Sequence, residues 1–179
     1  MVPDGCCLDT KLVHGYKGYD EHTGAISYPI YQTATFRHPA LGESTGYDYS
    51  RLQNPTREEL ENTIARIEGG KAGLAFASGL SAIATVLNIF SNGDHIIVSD
   101  DQYGGTYRLF KEVYKKYGIE ATYVDTTDID MVLKNIKENT KAFFIETPSN
   151  PIMKVTDIQK IVEIAKTHGA LTIVDNTFL

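Results

Sequence analysis

From residue 56 onward, short apolar segments alternate with segments that have the periodicity of amphipathic helices. This alternation, with short connections, predicts right-handed crossovers and a parallel sheet with helices on both faces. The continuous apolar character of HIIV, AFFI and LTIV predicts strands that are buried on both sides. The predicted fold class is therefore α/β, and the five predicted strands are AGLAFA, HIIVS, EATYV, KAFFIE and ALTIVD.

The helix-like segments carry their own boundary and face signals. TREELENTIARIEGG has Thr56 and Glu59 at the spacing of a capping box and ends at a Gly-Gly pair. Two further segments, GTYRLFKEVYKKYG and DIQKIVEIAKTHG, have apolar residues at helical spacing. The predicted inward faces are Tyr107, Phe110, Val113 and Tyr117 in the first, and Ile158, Ile161, Val162 and Ala165 in the second.

Residues 1 to about 55 differ from the rest of the chain because they are rich in Gly, Pro, Tyr and Thr and show no sustained period. They indicate an extended arm with loops, which could not bury a core alone and would pack against something else, such as another subunit. The predicted organisation is an arm and oligomerisation segment over 1–55, followed by an α/β domain over 56–179.

Composition excludes several classes of protein. The chain has 17 basic and 23 acidic residues, a net charge of -6, which argues against nucleic-acid binding. No stretch approaches the run of about 18 apolar residues that crosses a bilayer, and the N-terminal segment lacks the features of a signal peptide. The adjacent Cys6 and Cys7 indicate free thiols in a reducing compartment, and the scattered histidines indicate no metal site. We therefore predict a cytoplasmic protein.

In an open parallel sheet, ligands bind beyond the carboxyl ends of the strands, and several candidate residues follow predicted strands. Gly79 and Leu80 begin a helix whose free N–H groups suit a phosphate, although a tight turn capped by Ser78 is the plainer explanation. Tyr103 could stack on a flat cofactor or pack at the rim of the sheet. Asn150 could hydrogen-bond a ligand or form an Asx turn.

Two further features invite a charged ligand. Asp175 closes the strand ALTIVD, where desolvation of a carboxylate costs free energy unless a cation or a capping role compensates. A protonated ring nitrogen would be one such cation. Tyr49 and Arg51 alternate across Ser50, so both side chains point to the same side of an extended segment and could clamp a phosphate. A solvated loop with one exposed arginine is the alternative.

Five segments occur in an order that resembles one family: YSRLQNPT, FASGLSAI, DQYGGTYRLF, ETPSNP and VDNTF. The chain resembles, from about residue 10 to its last residue, the pyridoxal-phosphate-dependent enzymes of Cys/Met metabolism. These include cystathionine γ-synthase and the cystathionine γ- and β-lyases. The resemblance implies pyridoxal 5'-phosphate as cofactor and the aspartate-aminotransferase-like architecture of fold type I, with 56–179 as an incomplete cofactor-binding domain.

The resemblance also implies roles for individual residues. Asp175 would pair with the pyridine nitrogen and Tyr103 would stack on the ring, which makes these two the catalytic candidates. Asn150 would lie near the ring hydroxyl. Four further residues would contact the phosphate, the last two of them from a neighbouring subunit: Gly79, Leu80, Tyr49 and Arg51.

The implied chemistry is the formation or cleavage of a carbon–sulfur bond, through a quinonoid intermediate, on a small amino-acid substrate. The implied substrate is cystathionine or an O-acyl homoserine. Asp48 lies where cystathionine-handling members often carry an acidic residue, which can meet the distal amino group of a cystathionine-like substrate, and this favours γ-synthase or lyase chemistry on cystathionine. Gly105 stands where methionine γ-lyases usually carry a cysteine, so that activity is disfavoured. γ-Replacement and γ- or β-elimination both stay open, and an O-acetylhomoserine sulfhydrylase is the alternative enzyme.

The family's Schiff-base lysine follows the VDNTF segment, and none of the lysines of this chain lies in a matching context. We therefore expect an N-terminal portion of a longer enzyme, inactive alone, whose whole form is a homotetramer built as a dimer of dimers with shared active sites. A non-catalytic fragment that keeps oligomer and phosphate contacts is a second interpretation. A dinucleotide-binding domain is disfavoured because no G-x-G-x-x-G follows the first predicted strand.

Overall fold

The computed structural model describes residues 5–179, which form two compact units with a boundary between Ala77 and Ser78. The first unit contains helices α1 (Leu8–His14) and α2 (Pro55–Ile67). Between these helices the chain is irregular or extended, with one isolated antiparallel bridge between Thr35 and Tyr49. Helix α1 was not predicted, because its seven residues are too few to establish a period.

The N-terminus of α2 corrects the predicted capping box. The cap is Asn54, whose side chain accepts a hydrogen bond from the Thr56 N–H at 2.9 Å. Pro55 occupies the first helical position, where its fixed φ and missing N–H are well tolerated, so the helix begins before Thr56. The Glu59 carboxylate instead accepts the N–H of Tyr16 at 2.8 Å, within the same unit.

The apolar run AGLAFA was predicted to be the first strand, and this prediction is wrong. The run lies in the first unit without strand structure, and Leu74 within it is 74% exposed. The N–H of Ala75 donates to the Glu61 carboxylate on α2 at 2.9 Å, so it is used by a side chain and not by a strand ladder.

The second unit is built on a four-stranded parallel sheet. The strands are β1 (His95–Ser99), β2 (Glu120–Val124), β3 (Thr140–Glu146) and β4 (Leu171–Asp175), in the spatial order β2-β1-β3-β4. The connecting helices are α3 (Gly79–Leu87), α4 (Gly104–Arg108), α5 (Ile129–Lys134) and α6 (Ile158–Thr167). The predicted parallel α/β fold is confirmed.

Helices cover both faces of this sheet because alternate strand residues point to opposite sides. Ile96 and Val98 of β1 pack with α3 and the helix after β1, in a core that contains Leu87 and Phe110. Ile97, on the other face, packs with α5 and α6. Strands β1 and β3 are therefore buried on both sides as predicted, whereas β4 is an edge strand of this sheet and its Leu171 is 51% exposed.

The segment after β1 is helical as predicted, but its inward face differs from the prediction. Helix α4 continues as a π-helical turn over Leu109–Val113 and a 3₁₀ turn over Tyr114–Tyr117. These turns change the number of residues per turn, so Phe110 and Tyr114 are buried while Tyr117 is exposed. In α6, Ile161 and Ala165 are buried as predicted, whereas Ile158 is exposed.

Candidate active site

A cavity of about 340 Å³ lies at the carboxyl ends of β3 and β4 in the second unit. It is formed by the N-terminus of α3, the loop after β1, the loop after β3 and the segment after β4. This is where a parallel sheet of this kind collects ligands, and the volume lies in the range of small-ligand sites. The lining residues that carry polar or aromatic groups are Ser78, Tyr103, Glu146, Asn150, Asp175, Thr177 and Phe178.

Asp175 lines this cavity at the end of β4 and is partly buried. Its Oδ1 accepts hydrogen bonds from the N–H of Thr177 at 3.2 Å and from the hydroxyl of the same residue at 2.6 Å. The carboxylate thus fixes the turn after the strand and also borders the cavity. Both alternatives considered for this residue, the turn and the ligand-facing charge, are compatible with its position.

Tyr103 also lines the cavity, and its side chain is 46% exposed. Its ring lies against the backbone of Gly105, where a Cβ atom would overlap the ring and would stand 3.0 Å from a methyl carbon of Leu80. The glycine therefore makes room for the ring. Gly105 thus allows an aromatic side chain to approach the backbone closely, a contact that the sequence did not indicate.

The N-terminus of α3 presents free backbone donors to the cavity. Ser78 is the N-cap, and it exchanges hydrogen bonds with Ser81 in a capping box. The N–H groups of Gly79 and Leu80 have no partner among residues 5–179, as expected for the first helical positions. A Cβ at Gly79 would meet no atom within 4 Å, so the space beside it is open. The helix dipole adds partial positive charge at this point.

Asn150 lines the cavity from the loop after β3. Its N–H donates to Oε1 of Glu146 at 2.8 Å. Its side-chain amide makes no hydrogen bond within the described part of the chain, so the predicted Asx turn is not formed there and the amide is available to a ligand.

Glu146 is a site residue that the sequence analysis missed. It closes β3 as Asp175 closes β4, and the two are paired in register on adjacent strands. Burial raises the pKa of the Glu146 carboxyl, and the nearby charges of Asp175 and Asp101 raise it further, while backbone hydrogen bonds from Tyr103 and Asn150 oppose them. The signal that singled out Asp175, an acidic residue at the end of an apolar strand, was equally present at Glu146.

The remaining candidates lie in the first unit. The Arg51 guanidinium donates to the Tyr49 hydroxyl at 2.6 Å and lies 4.2 Å from the centroid of its ring, so the two side chains come together as predicted. Asp48 accepts a hydrogen bond from the Ser44 hydroxyl at 2.8 Å, and its Oδ1 lies 3.6 Å from Nε2 of His38. Phenol, guanidinium and carboxylate are thus neighbours along one short segment.

An α/β domain with a cavity beyond its strand ends, bordered by a helix N-terminus, an aromatic ring and a carboxylate, defines an enzyme-like cofactor-binding domain. The model of the Cys/Met metabolism PLP-dependent enzymes matches residues 9–179. The chain belongs to this family, whose description implies pyridoxal 5'-phosphate as the cofactor.

Relatives with different reactions are about equally similar to the chain. It is 52% identical over 171 residues to the cystathionine gamma-synthase/O-acetylhomoserine (thiol)-lyase of Bacillus subtilis (strain 168), covering 96% of this chain and 46% of that protein. It is 53% identical over 171 residues to the cystathionine beta-lyase of Lactococcus lactis subsp. cremoris (strain MG1363), covering 96% of this chain and 45% of that protein.

A solved structure agrees in fold. The crystal structure of cystathionine gamma-lyase from Lactobacillus plantarum complexed with L-serine matches with a TM-score of 0.92 at 49% identity, covering 97% of this chain and 45% of that one. The chain therefore spans slightly less than half of the length of these relatives. Fold type I of the pyridoxal-phosphate enzymes is confirmed as the architecture.

The residues around the cavity fit pyridoxal phosphate in the chemistry of their groups. A phosphate needs hydrogen-bond donors, and the free N–H groups of Gly79 and Leu80 supply two of them. An aromatic heterocycle needs a flat apolar partner, and the half-exposed Tyr103 ring is one. A protonated ring nitrogen needs a negative charge, and Asp175 carries one.

Every helix within residues 5–179 is too short or too polar to cross a membrane.

Proposed function

We propose that the whole protein in which this sequence occurs is a pyridoxal-phosphate-dependent enzyme of the γ-synthase or γ/β-lyase type, which forms cystathionine from an O-acyl homoserine or breaks a carbon–sulfur bond of cystathionine. The observation that carries this proposal is the convergence of the Tyr103 ring, the Asp175 carboxylate and the free N–H groups of α3 on one cavity. Family membership supports the cofactor, and the named activities of the relatives support the substrate class.

In this proposal the described residues divide the work of holding the cofactor. Gly79 and Leu80 donate their N–H groups to the phosphate, Asn150 donates its amide to the ring hydroxyl, and the Tyr103 ring stacks on the heterocycle. Bound pyridoxal phosphate supplies an electron sink for the bond broken at the substrate's α-carbon. Asp175 keeps the proton on the ring nitrogen, because a negative charge close by favours the protonated form.

Asp48 is the proposed contact for the distal ammonium group of a cystathionine-like substrate. Its carboxylate is largely exposed and is held by Ser44, so its direction is set without a full ion pair. The partner at 3.6 Å, His38, is a full counter-ion only when it is protonated. A negative charge here would favour substrates with a second amino group over simple homoserine esters.

The first 55 residues are proposed to be an oligomerisation arm. Apolar side chains in this segment are exposed, including Ile26 and Ile30, and exposed apolar residues of this kind favour burial against another chain. We propose a dimer of dimers in which Tyr49 and Arg51 contact the phosphate bound to a neighbouring subunit. A cytoplasmic location is proposed with it, supported by the free thiols of Cys6 and Cys7.

A second candidate is an O-acetylhomoserine sulfhydrylase. It is favoured by the Bacillus subtilis relative whose name includes O-acetylhomoserine (thiol)-lyase. One experiment separates the two: the purified whole protein is loaded with pyridoxal phosphate and assayed with cystathionine, with O-acyl homoserine plus cysteine, and with O-acyl homoserine plus sulfide. Turnover in either of the first two assays supports the first proposal, and turnover only with sulfide supports the second. Failure to bind the cofactor contradicts both.

A further inference from the structure

Glu146 has an unusual position for a carboxylate that contacts no basic side chain among the described residues. It is only 5% exposed at the end of β3. Its Oε2 accepts the N–H of Tyr103 at 2.8 Å, and its Oε1 accepts the N–H of Asn150 at 2.8 Å. One carboxylate therefore holds the backbone of two residues that lie in different loops.

The link between these loops is reciprocal. Asp101, in the loop after β1, is 8% exposed and accepts hydrogen bonds from the Ser149 hydroxyl and, at 3.1 Å, from the N–H of Ile152. Glu146, at the end of β3, thus holds the loop after β1, and Asp101, in the loop after β1, holds the loop after β3. The two loops are therefore held by several independent hydrogen bonds, as a precise binding geometry requires.

Holding the N–H groups fixes the side chains of the same residues. The Tyr103 ring can move toward or away from the cavity only by rotation about its own side-chain bonds once its nitrogen is held, and the same is true of the Asn150 amide. A carboxylate accepts both N–H groups symmetrically, one at each oxygen. A neutral amide in its place has one acceptor oxygen, and its NH₂ group would face the other N–H donor.

We propose that Glu146 is a positioning residue that sets the Tyr103 ring and the Asn150 amide relative to each other in the cofactor cavity. This inference rests on the proposed function, because it assigns the purpose of that geometry to the binding of pyridoxal phosphate. Glu146 borders the cavity, and its proposed role acts through the two residues whose backbones it holds.

The test compares Glu146→Gln with the wild type in the whole protein. The matched control is Glu138→Gln, which also removes one negative charge but lies on the exposed surface outside the cavity. The apoproteins are titrated with pyridoxal phosphate to obtain Kd, and the visible circular dichroism per bound cofactor is measured at saturation. Circular dichroism reports how the ring is held, which a general loss of stability would not change.

We expect Glu146→Gln to raise the Kd for pyridoxal phosphate about tenfold, since a buried N–H loses its acceptor. We also expect it to reduce the circular dichroism per bound cofactor, while Glu138→Gln matches the wild type. If Glu146→Gln does not fold, Glu146→Asp is used, which keeps the charge but is shorter and is expected to change both quantities in the same direction. If the wild type binds the cofactor and turns over, an unchanged Kd and unchanged circular dichroism in Glu146→Gln would overturn this inference alone. A wild type that binds no cofactor would overturn the proposed function as well.

Discussion

The ring of Tyr103 occupies the space that a side chain at Gly105 would fill. An alanine at 105 would push the ring, which is the mobile partner, and leave the helix backbone in place. Overpacking of this kind costs roughly 1–3 kcal/mol, and the cost would fall on cofactor stacking. We expect Gly105→Ala to raise the Kd for pyridoxal phosphate about tenfold in the whole protein, as measured by titration of the apoprotein.

The neighbouring glycine supplies the control for this substitution. A Cβ at Gly104 would meet no atom within 4 Å, although it belongs to the same helix, α4. Gly104→Ala should therefore leave the Kd within about twofold of the wild type. Equal effects of the two substitutions on the Kd would show that the position of the Tyr103 ring does not depend on the absence of a side chain at Gly105.

Removal of the charge at 175 should reduce turnover more than cofactor binding. Asn at this position can still accept the hydrogen bonds of Thr177, so the turn is kept and only the charge is lost. An opposite charge shifts a pKa by about 1–3 units, so we expect Asp175→Asn to lower kcat about 10- to 1000-fold. Steady-state assays on protein of measured cofactor content test this, with the exposed Asp130→Asn as control. Near-normal kcat would contradict the role of Asp175.

Arg51 should contribute to phosphate affinity through the shape of its guanidinium. It is stacked on the Tyr49 ring and hydrogen-bonded to the hydroxyl of the same residue, and lysine lacks the planar guanidinium that can make both contacts and also donate two hydrogen bonds to a phosphate. We expect Arg51→Lys to raise the Kd for pyridoxal phosphate about tenfold, as loss of a charge-assisted hydrogen bond costs about 1.5 kcal/mol or more. Arg37→Lys, at an exposed arginine in the same unit, should have no effect.

If Tyr49 and Arg51 serve a neighbouring subunit, two inactive variants should complement each other. A mixed dimer of Arg51→Ala and Asp175→Asn chains has one site in which both residues are intact. Random mixing would then restore about a quarter of the wild-type activity. The measurement is the activity of the co-expressed variants against that of each variant alone. No recovery in a confirmed mixed oligomer would place both residues in the same subunit's site.

His95 should make the fold sensitive to mild acid. It is fully buried at the start of β1, with its ring nitrogens 2.8 Å from the hydroxyls of Thr140 and Thr122. Burial lowers the pKa of His95 to about 4, and the Lys137 charge acts in the same direction. The unfolded chain, with a pKa of about 6.5, therefore binds the proton first. Stability is full above about pH 6.5 and falls toward pH 4, by up to about 3 kcal/mol.

The measurement is amide hydrogen exchange of the β1 residues at pH 7 and pH 5, corrected for the intrinsic pH dependence of exchange. We expect faster relative exchange at pH 5 in the wild type. A His95→Asn variant should lose this pH dependence, and the exposed His14→Gln should keep it. The same pH dependence in His95→Asn would assign the acid sensitivity to another group.

The sequence predicted most of the sheet because its strands are simple. HIIVS and KAFFIE are apolar runs flanked by polar residues, and burial on two faces leaves little room for another interpretation. AGLAFA is also apolar, but the N–H of Ala75 within it is taken by Glu61, a contact between residues fourteen positions apart. Composition cannot reveal such a partner. The inward face after β1 was mispredicted for a related reason, since the π-helical turn departs from the regular period.

The site was predictable where it depends on topology alone. Asp175 ends a strand, Tyr103 and Asn150 come shortly after strands, and parallel strands bring their carboxyl ends to one edge of the sheet. The role of Glu146 was not predictable, because which backbone N–H groups a carboxylate meets depends on the path of two loops. Gly105 was noticed for a different reason, its place in a family pattern, and its contact with Tyr103 emerged only in three dimensions.

Strand β4 offers one backbone edge that no strand of residues 5–179 covers, and Leu171 on it is half exposed. The unpaired N–H and C=O groups of an edge strand can form hydrogen bonds with an extended segment of another chain. When the 179-residue polypeptide is handled alone, the open edge of β4 should be one of the places where intermolecular β-structure forms. Such aggregation would cover the strand that ends at Asp175, next to the cavity where the cofactor is proposed to bind.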